Sequence, residues 1–176
     1  MVRILAISGS LRSGSSNTML LRAAIDLAPT SVEMRLYDGL NDLPYFNPDL
    51  ETVELSSVTD LRSQISWADG LLICSPEYAH GVPGVLKNAL DWLVSGSEFV
   101  GKPIALFNAS PRATHAQASL IEIMTTMAGQ IVSEACIEVQ LLGRKMDAVA
   151  IVSDPEMSGQ IREAIDQFVI KIGHPL

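Results

Sequence analysis

Three observations in the amino-acid sequence predict a doubly wound α/β fold, a three-layer sandwich with helices on both faces of a parallel sheet. Short runs dominated by apolar residues alternate along the chain with segments of helical periodicity. The runs Val2–Ile7 and Gly70–Cys74 show no in/out alternation, as strands covered on both faces should not. Turns rich in Ser, Gly, Pro or Asn follow these runs, where a parallel sheet places its ligand site. Five strands in the order 2-1-3-4-5, joined by right-handed crossovers, satisfy all three.

The elements follow in order. Val2–Ile7 is the first strand. A helix from about Asn17 to Ala28 places Leu21, Ala24, Ile25 and Ala28 on one face, and Pro29 stops it. Val32–Leu36 alternates in period two, as a half-exposed edge strand does. Tyr37–Leu50, with Pro44 and Pro48, reads as a long loop with a functional or oligomer-contact role. Glu51–Trp67 is helical with Val58, Leu61 and Ile65 inward, and Gly70–Cys74 is the third strand. Ser75–Gly84 is a loop, and the helix after it carries Leu86, Leu90 and Leu93 on one stripe. Pro103–Asn108 is strand four and Ala109–Ala113 a short loop. A helix from Thr114 to about Gly129 opens on a Thr114/Gln117 capping box. Ser133–Val139 is the fifth strand, Gly143–Pro155 is irregular, and a last helix spans about Glu156–Ile172.

The whole chain of 176 residues fits one domain that buries roughly two-thirds of its unfolded surface. Apolar residues make up 48% and charged residues 18%, a globular balance. The net charge of −8, from 12 basic and 20 acidic residues, disfavours nucleic-acid and anionic-membrane partners. An anionic ligand then needs a local cradle. Two cysteines cannot build a disulfide framework, and Cys74 and Cys136 read as buried thiols. With neither a signal peptide nor an apolar span of about 20 residues, a cytoplasmic location is expected.

Gly9-Ser10-Leu11-Arg12-Ser13-Gly14-Ser15-Ser16-Asn17 joins the first strand to its helix. Small hydroxyls, glycines and one arginine at a helix N-terminus outline a phosphate site, because backbone N–H groups and the helix dipole converge there. No lysine follows Gly14 and the spacing is not G-x-G-x-x-G, so neither a triphosphate loop nor a dinucleotide fingerprint is present. The loops Ser8–Ser16, Ser75–Gly84 and Ala109–Ala113 lie side by side in the predicted strand order and can share one ligand.

G-S-L-R-x-x-S-x-N at Gly9–Asn17, then P-E-Y at Pro76–Tyr78 and P-G-x-L-K-N-A-L-D-W at Pro83–Trp92, resembles the NAD(P)H-dependent FMN reductase family. That family has a flavodoxin-like fold and includes chromate, quinone and azo-dye reductases. The resemblance implies that Ser10, Arg12, Ser15 and Asn17 hold the FMN phosphate, joined by Thr18. It implies that Pro76, Glu77, Tyr78 and Ala79 line the isoalloxazine ring, mainly through backbone groups, and that Ser110 closes the other side. It further implies NADH or NADPH as co-substrate, a small-molecule electron acceptor, and a homodimer or homotetramer. Two departures stand out: Ala79 replaces the Asn that usually follows P-E-Y, and Ser110–His115 lacks the Gly-Gly-x-Arg stretch. Arg112 can replace the missing positive charge or be a plain surface arginine.

The flavin carries the chemistry in such an enzyme, so no side chain is named as a catalytic acid or base. No metal-ligand spacing occurs among the three histidines and two cysteines. His80 and His115 read as a loop wall and a first-turn residue rather than proton shuttles, and His174 falls in a tail. Lys87, Asn88 and Asp91 read as structural or as subunit contacts, and Trp67, Trp92, Met124 and Met127 as packing. A flavodoxin-type electron carrier and a flavin-binding sensor without turnover are the competing readings.

Overall fold

The computed structural model of the chain describes residues 1–173, so His174 lies outside the described residues. Its elements are β1 (Val2–Ser8), α1 (Ser16–Leu27), β2 (Val32–Tyr37), α2 (Ser56–Trp67), β3 (Gly70–Cys74) and α3 (Gly84–Leu93). They continue with β4 (Pro103–Asn108), α4 (Thr114–Thr126), β5 (Gln130–Ile131), β6 (Ile137–Glu138), α5 (Ala148–Ser153) and α6 (Pro155–Gly173). The sheet runs β2-β1-β3-β4-β5, all parallel, with β6 also on β4. This is the expected 2-1-3-4-5 order of a flavodoxin-like fold.

Period-two alternation within each central strand builds two separate cores. Ile4, Ala6, Leu72, Cys74, Ala105 and Phe107 face one side, where Leu20, Leu21 and Ala24 of α1 and Ile161, Ile165 and Phe168 of α6 cover them. Leu5, Ile7, Leu71, Ile73, Ile104 and Leu106 face the other, under Leu61 and Ile65 of α2, Leu86 and Leu90 of α3, and Leu120 and Met124 of α4. The lack of in/out polarity in the sequence therefore has its cause in helices on both faces.

The predicted strand at Ser133–Val139 is not continuous. Two-residue segments β5 and β6 pair with β4 on either side of a 3₁₀ turn at Ser133–Ala135. Cys136 fills the interruption: the Leu106 N–H donates to its Sγ at 3.3 Å, while the thiol donates to Val132 O at 3.4 Å. A side chain thus replaces the ladder acceptor that an unbroken strand would have offered.

Other boundaries also move. α2 begins at Ser56 rather than Glu51, because Leu55 is extended and packs with Leu50 against the α2–α3 core. The Tyr37–Leu50 loop contains 3₁₀ turns at Gly39–Asp42 and Pro48–Leu50. It is pinned to α3, where the Asn88 amide and Trp92 Nε1 both donate to Pro44 O and the Phe46 N–H donates to Asn88 Oδ1. Phe46 meets the Trp92 ring edge-on at 5.1 Å. Within the Gly143–Pro155 stretch, Asp147 caps α5 by accepting from the Ala150 N–H. The Thr114/Gln117 capping box does not form. Ala113 is the N-cap of α4 and supplies no side chain, so the cap comes from elsewhere.

Candidate functional site

A cleft of about 590 Å³ opens at the carboxyl ends of the central strands. Ser10, Arg12, Ser15 and Asn17 from the β1–α1 loop line it, with Pro76, Glu77 and Tyr78 after β3 and Ser110 after β4. The three loops anticipated from the sequence therefore do share one hollow. Gly9 makes this possible. Its N–H donates to Cys74 O at 2.9 Å, and a Cβ there would stand 2.9 Å from Ser75 Cβ and 3.2 Å from Leu86 Cδ2.

The β1–α1 loop is wound by short-range bonds. Ser8 Oγ accepts from the Ser10 N–H, Ser10 Oγ accepts from the Arg12 N–H, and Arg12 O accepts from the Ser15 N–H. Ser15 is the N-cap of α1, is buried, and its hydroxyl makes no capping bond. The first-turn N–H groups of α1 thus keep the donor capacity that a serine usually consumes. Arg12 is exposed and donates to Gly14 O at 2.7 Å, so its remaining guanidinium donors stay open. Asn17 is buried, and its Oδ1 accepts from the Cys74 thiol at 3.2 Å. Burial pushes the Cys74 thiol well up from its ordinary value, so it stays protonated and serves as a donor.

Thr18 and Ala79 stand outside this lining. Thr18 Oγ1 shares a 2.7 Å hydrogen bond with Ser8 Oγ and lines a neighbouring hollow of about 450 Å³ on the β2 side of the loop. Ala79 and His80 form the tip of a tight turn in which Tyr78 and Gly81 exchange both backbone hydrogen bonds at 3.1 and 3.0 Å. Both tip residues have positive φ, 49° and 61°, which a primed turn demands and which disfavours residues with a Cβ. Because the Tyr78 N–H and C=O are spent on Gly81, Tyr78 presents its ring, 57% exposed, rather than its backbone. The His80 ring packs on that of His115, in the first turn of α4, with centroids 4.2 Å apart.

Glu77 ties two of the loops together. Its Oε2 accepts from the Ala116 N–H at 2.8 Å, the bond missing from the N-terminus of α4. A carboxylate there also meets the positive end of the helix dipole. Asn108 Oδ1 accepts from the Ser110 N–H at 3.0 Å and fixes the start of the third loop.

Sequence reasoning passed over the fourth wall, Leu141–Lys145, which brings Arg144 and Lys145 to the cleft beside Arg12 and Arg112. The available signal was the adjacent pair of cations after Gly143, whose φ of +77° marks a glycine-dependent turn. No group of three or more metal-binding side chains occurs among the described residues. Among the same residues, no helix is long and apolar enough to cross a membrane.

Known proteins resemble this chain in sequence and in fold. An NAD(P)H-dependent FMN reductase of Pseudomonas aeruginosa is 43% identical over 112 residues, covering 62% of this chain and 60% of that protein. A quinone reductase of Escherichia coli is 37% identical over 113 residues, with the same coverage. The matches thus span about three-fifths of those relatives. The solved structure of a flavoenzyme NAD(P)H:(acceptor) oxidoreductase from Paracoccus denitrificans superposes with a TM-score of 0.81 at 28% identity, covering 99% of each chain. Residues 2–140 match the model of the family described as NADPH-dependent FMN reductase. That match takes in three of the four walls of the cleft, and the chain belongs to the NADPH-dependent FMN reductase family.

Proposed function

We propose that this chain is an FMN-dependent NAD(P)H oxidoreductase, delivering electrons to a quinone, azo, metal-oxyanion or free-flavin acceptor. The observation that carries the reading is the uncapped start of α1 opening into a cleft with Arg12, at the strand ends where this family's fold places a ligand. The donor set suits a flavin phosphate: a guanidinium fork, two serine hydroxyls and helix N–H groups, with no carboxylate on that wall. The names of the relatives support the activity, and the reading extends it to residues 1–176 as one FMN-binding domain.

The redox chemistry belongs to the flavin, which when bound takes up hydride and releases two electrons to an acceptor. The chain's own residues bind and orient. Arg12, whose guanidinium donates to Gly14 O, would hold the phosphate with its open donors, with the Ser10 and Ser15 hydroxyls beside it. Tyr78 supplies an aromatic wall, and Glu77 keeps the second and third loops in register through Ala116. Ser110 closes the opposite side. Thr18 acts at one remove, holding Ser8 Oγ and through it the start of the loop. Ala79, outside the lining, contributes only the tip of the turn that presents Tyr78. The protein works in the cytoplasm as a homodimer or homotetramer, with Tyr45, 91% exposed on the loop held by α3, at the contact.

The test is to mix purified protein with FMN, desalt it, record the visible spectrum, and follow NADH and NADPH oxidation with a quinone. Co-elution of a perturbed flavin spectrum with steady turnover is expected. Passage of all flavin into the salt fraction would overturn the cofactor assignment, and bound flavin without oxidation of either nucleotide would leave an electron carrier.

A further inference from the structure

The twelve cations of this protein fall into three groups. One of these (Arg22, Lys102 and Arg162) is, among the described residues, neither ion-paired nor on the cleft: Arg22 lines the neighbouring hollow, Lys102 donates to Ala68 O and Arg162 to Leu27 O. Five are ion-paired: Arg3 with Asp69, Arg35 with Glu33, Arg62 with Glu98, Lys87 with Asp91 and Lys171 with Glu134. None of the five lines the cleft. Arg12, Arg112, Arg144 and Lys145 line it, and among the described residues none has a carboxylate partner. Glu77 is the one carboxylate on the lining, and it is engaged with the Ala116 N–H. In a chain with 20 acidic against 12 basic residues, four cations without a carboxylate partner line this one hollow. Their arrangement calls for an anion.

A phosphate monoester brings about two negative charges at neutral pH, which Arg12 and the first turn of α1 can meet. Arg112, Arg144 and Lys145 are then surplus to the flavin. Two of these lie beyond residue 140, where the family match ends. The loop is built to present them. The Arg144 N–H donates to Leu141 O at 3.0 Å, closing a turn through Gly143. The Leu141 N–H donates to Ala109 O at 3.2 Å, fastening this loop to the one that carries Arg112.

Resting on the functional reading above, we infer that Arg144 and Lys145, with Arg112 on the adjoining loop, form a second anion subsite. It takes the 2′-phosphate of NADPH and makes the enzyme prefer NADPH over NADH. The shared chemistry is a compact multivalent anion on the second substrate. An anionic acceptor such as a sulfonated azo dye offers the same chemistry, so the experiment separates the two sources.

FMN-loaded protein, unmutated and Arg144→Ala/Lys145→Ala, is titrated calorimetrically with 2′,5′-ADP and with 5′-AMP. The unmutated protein should bind 2′,5′-ADP about tenfold or more tightly than 5′-AMP, the scale of one charge-assisted hydrogen bond. The double variant should lose that difference, the NADPH:NADH ratio of kcat/KM should fall with it, and Arg144→Lys/Lys145→Arg should restore both. Equal affinities for the two nucleotides in the unmutated protein would overturn the inference. So would FMN affinity falling in step with 2′,5′-ADP affinity, which assigns the pair to the flavin phosphate. A raised KM for a sulfonated azo dye with unchanged 2′,5′-ADP binding would overturn it in favour of the acceptor. Failure to retain FMN strikes the functional reading instead, and the nucleotide titration on the flavin-free chain still decides the subsite.

Discussion

The centre of the sheet and its β5/β6 edge use the same backbone chemistry in opposite ways. β1 and β3 pair continuously from Ile4–Gly70 to Ser8–Cys74, with a full helical layer on each face. At the edge, β4 is paired by two fragments of two residues each, and a cysteine sulfur takes one backbone donor between them. The central strands hold the loops that carry the family motif. The edge leads into Leu141–Lys145, the wall beyond the family match. A rigid, patterned centre and an irregular edge therefore divide the cleft into walls inside the family match and one wall beyond it.

Core truncation is the largest way to break the contrast. Ile73→Ala, in the middle of β3 and 1% exposed, should cost about 2–5 kcal/mol in denaturant unfolding, through lost transfer energy and the cavity left behind. Ile131→Ala on β5, only partly buried, should cost well under half as much. Equal losses would mean that the edge is as tightly packed as the centre.

Arg12→Ala tests what the centre positions. FMN should bind about tenfold or more weakly while riboflavin, lacking the phosphate, changes little, as read by quenching of flavin fluorescence. Matching losses for both ligands would place the phosphate elsewhere in the cleft.

The same contrast explains what could be read from the sequence. Val2–Ile7 and Gly70–Cys74 were legible because burial on both faces removes the in/out alternation, and Gly9–Asn17 because small and polar residues gather where a strand turns into a helix. The three-loop gathering followed from strand order alone. What escaped was long-range or side-chain made. The cap of α4 comes from Glu77, 39 positions away, so the local Thr114/Gln117 pattern misled. The gap in the fifth strand is filled by Cys136 Sγ, which looks in sequence like any buried thiol. Thr18 follows Asn17 directly yet points to the other side of the loop, because one residue along a helix is about a hundred degrees of rotation.

Cys136 offers a smaller test on the edge itself. Cys136→Ala removes the acceptor of the Leu106 N–H and should destabilise by about 1–2 kcal/mol. Cys136→Ser, which keeps an acceptor in a similar place, should recover part of that loss in the same thermal melt. Alanine and serine behaving alike would show the sulfur to be filler rather than a ladder partner.

The smallest effect lies at the opposite end of the sheet from the cleft. There Asp69 accepts from the Arg3 backbone N–H at 2.9 Å and from Nη2 at 2.9 Å, while its own N–H donates to Arg3 O at 2.7 Å. The side-chain bond from Arg3 holds the Asp69 carboxyl below its usual range, against the opposing pull of partial burial. A carboxyl with a depressed folded-state pKa contributes stability above its unfolded value near 3.8, and that contribution is lost as pH falls through the lower folded value. The melting temperature of the unmutated chain should therefore exceed that of Asp69→Asn at neutral pH, and the two should converge on acidification below about pH 4. Both side chains are partly exposed, so solvent screening keeps the difference small and added salt shrinks it further. A constant gap across the acid range would mean that the carboxylate's charge contributes nothing. The pin would then rest on its backbone bonds alone, as the central ladder does.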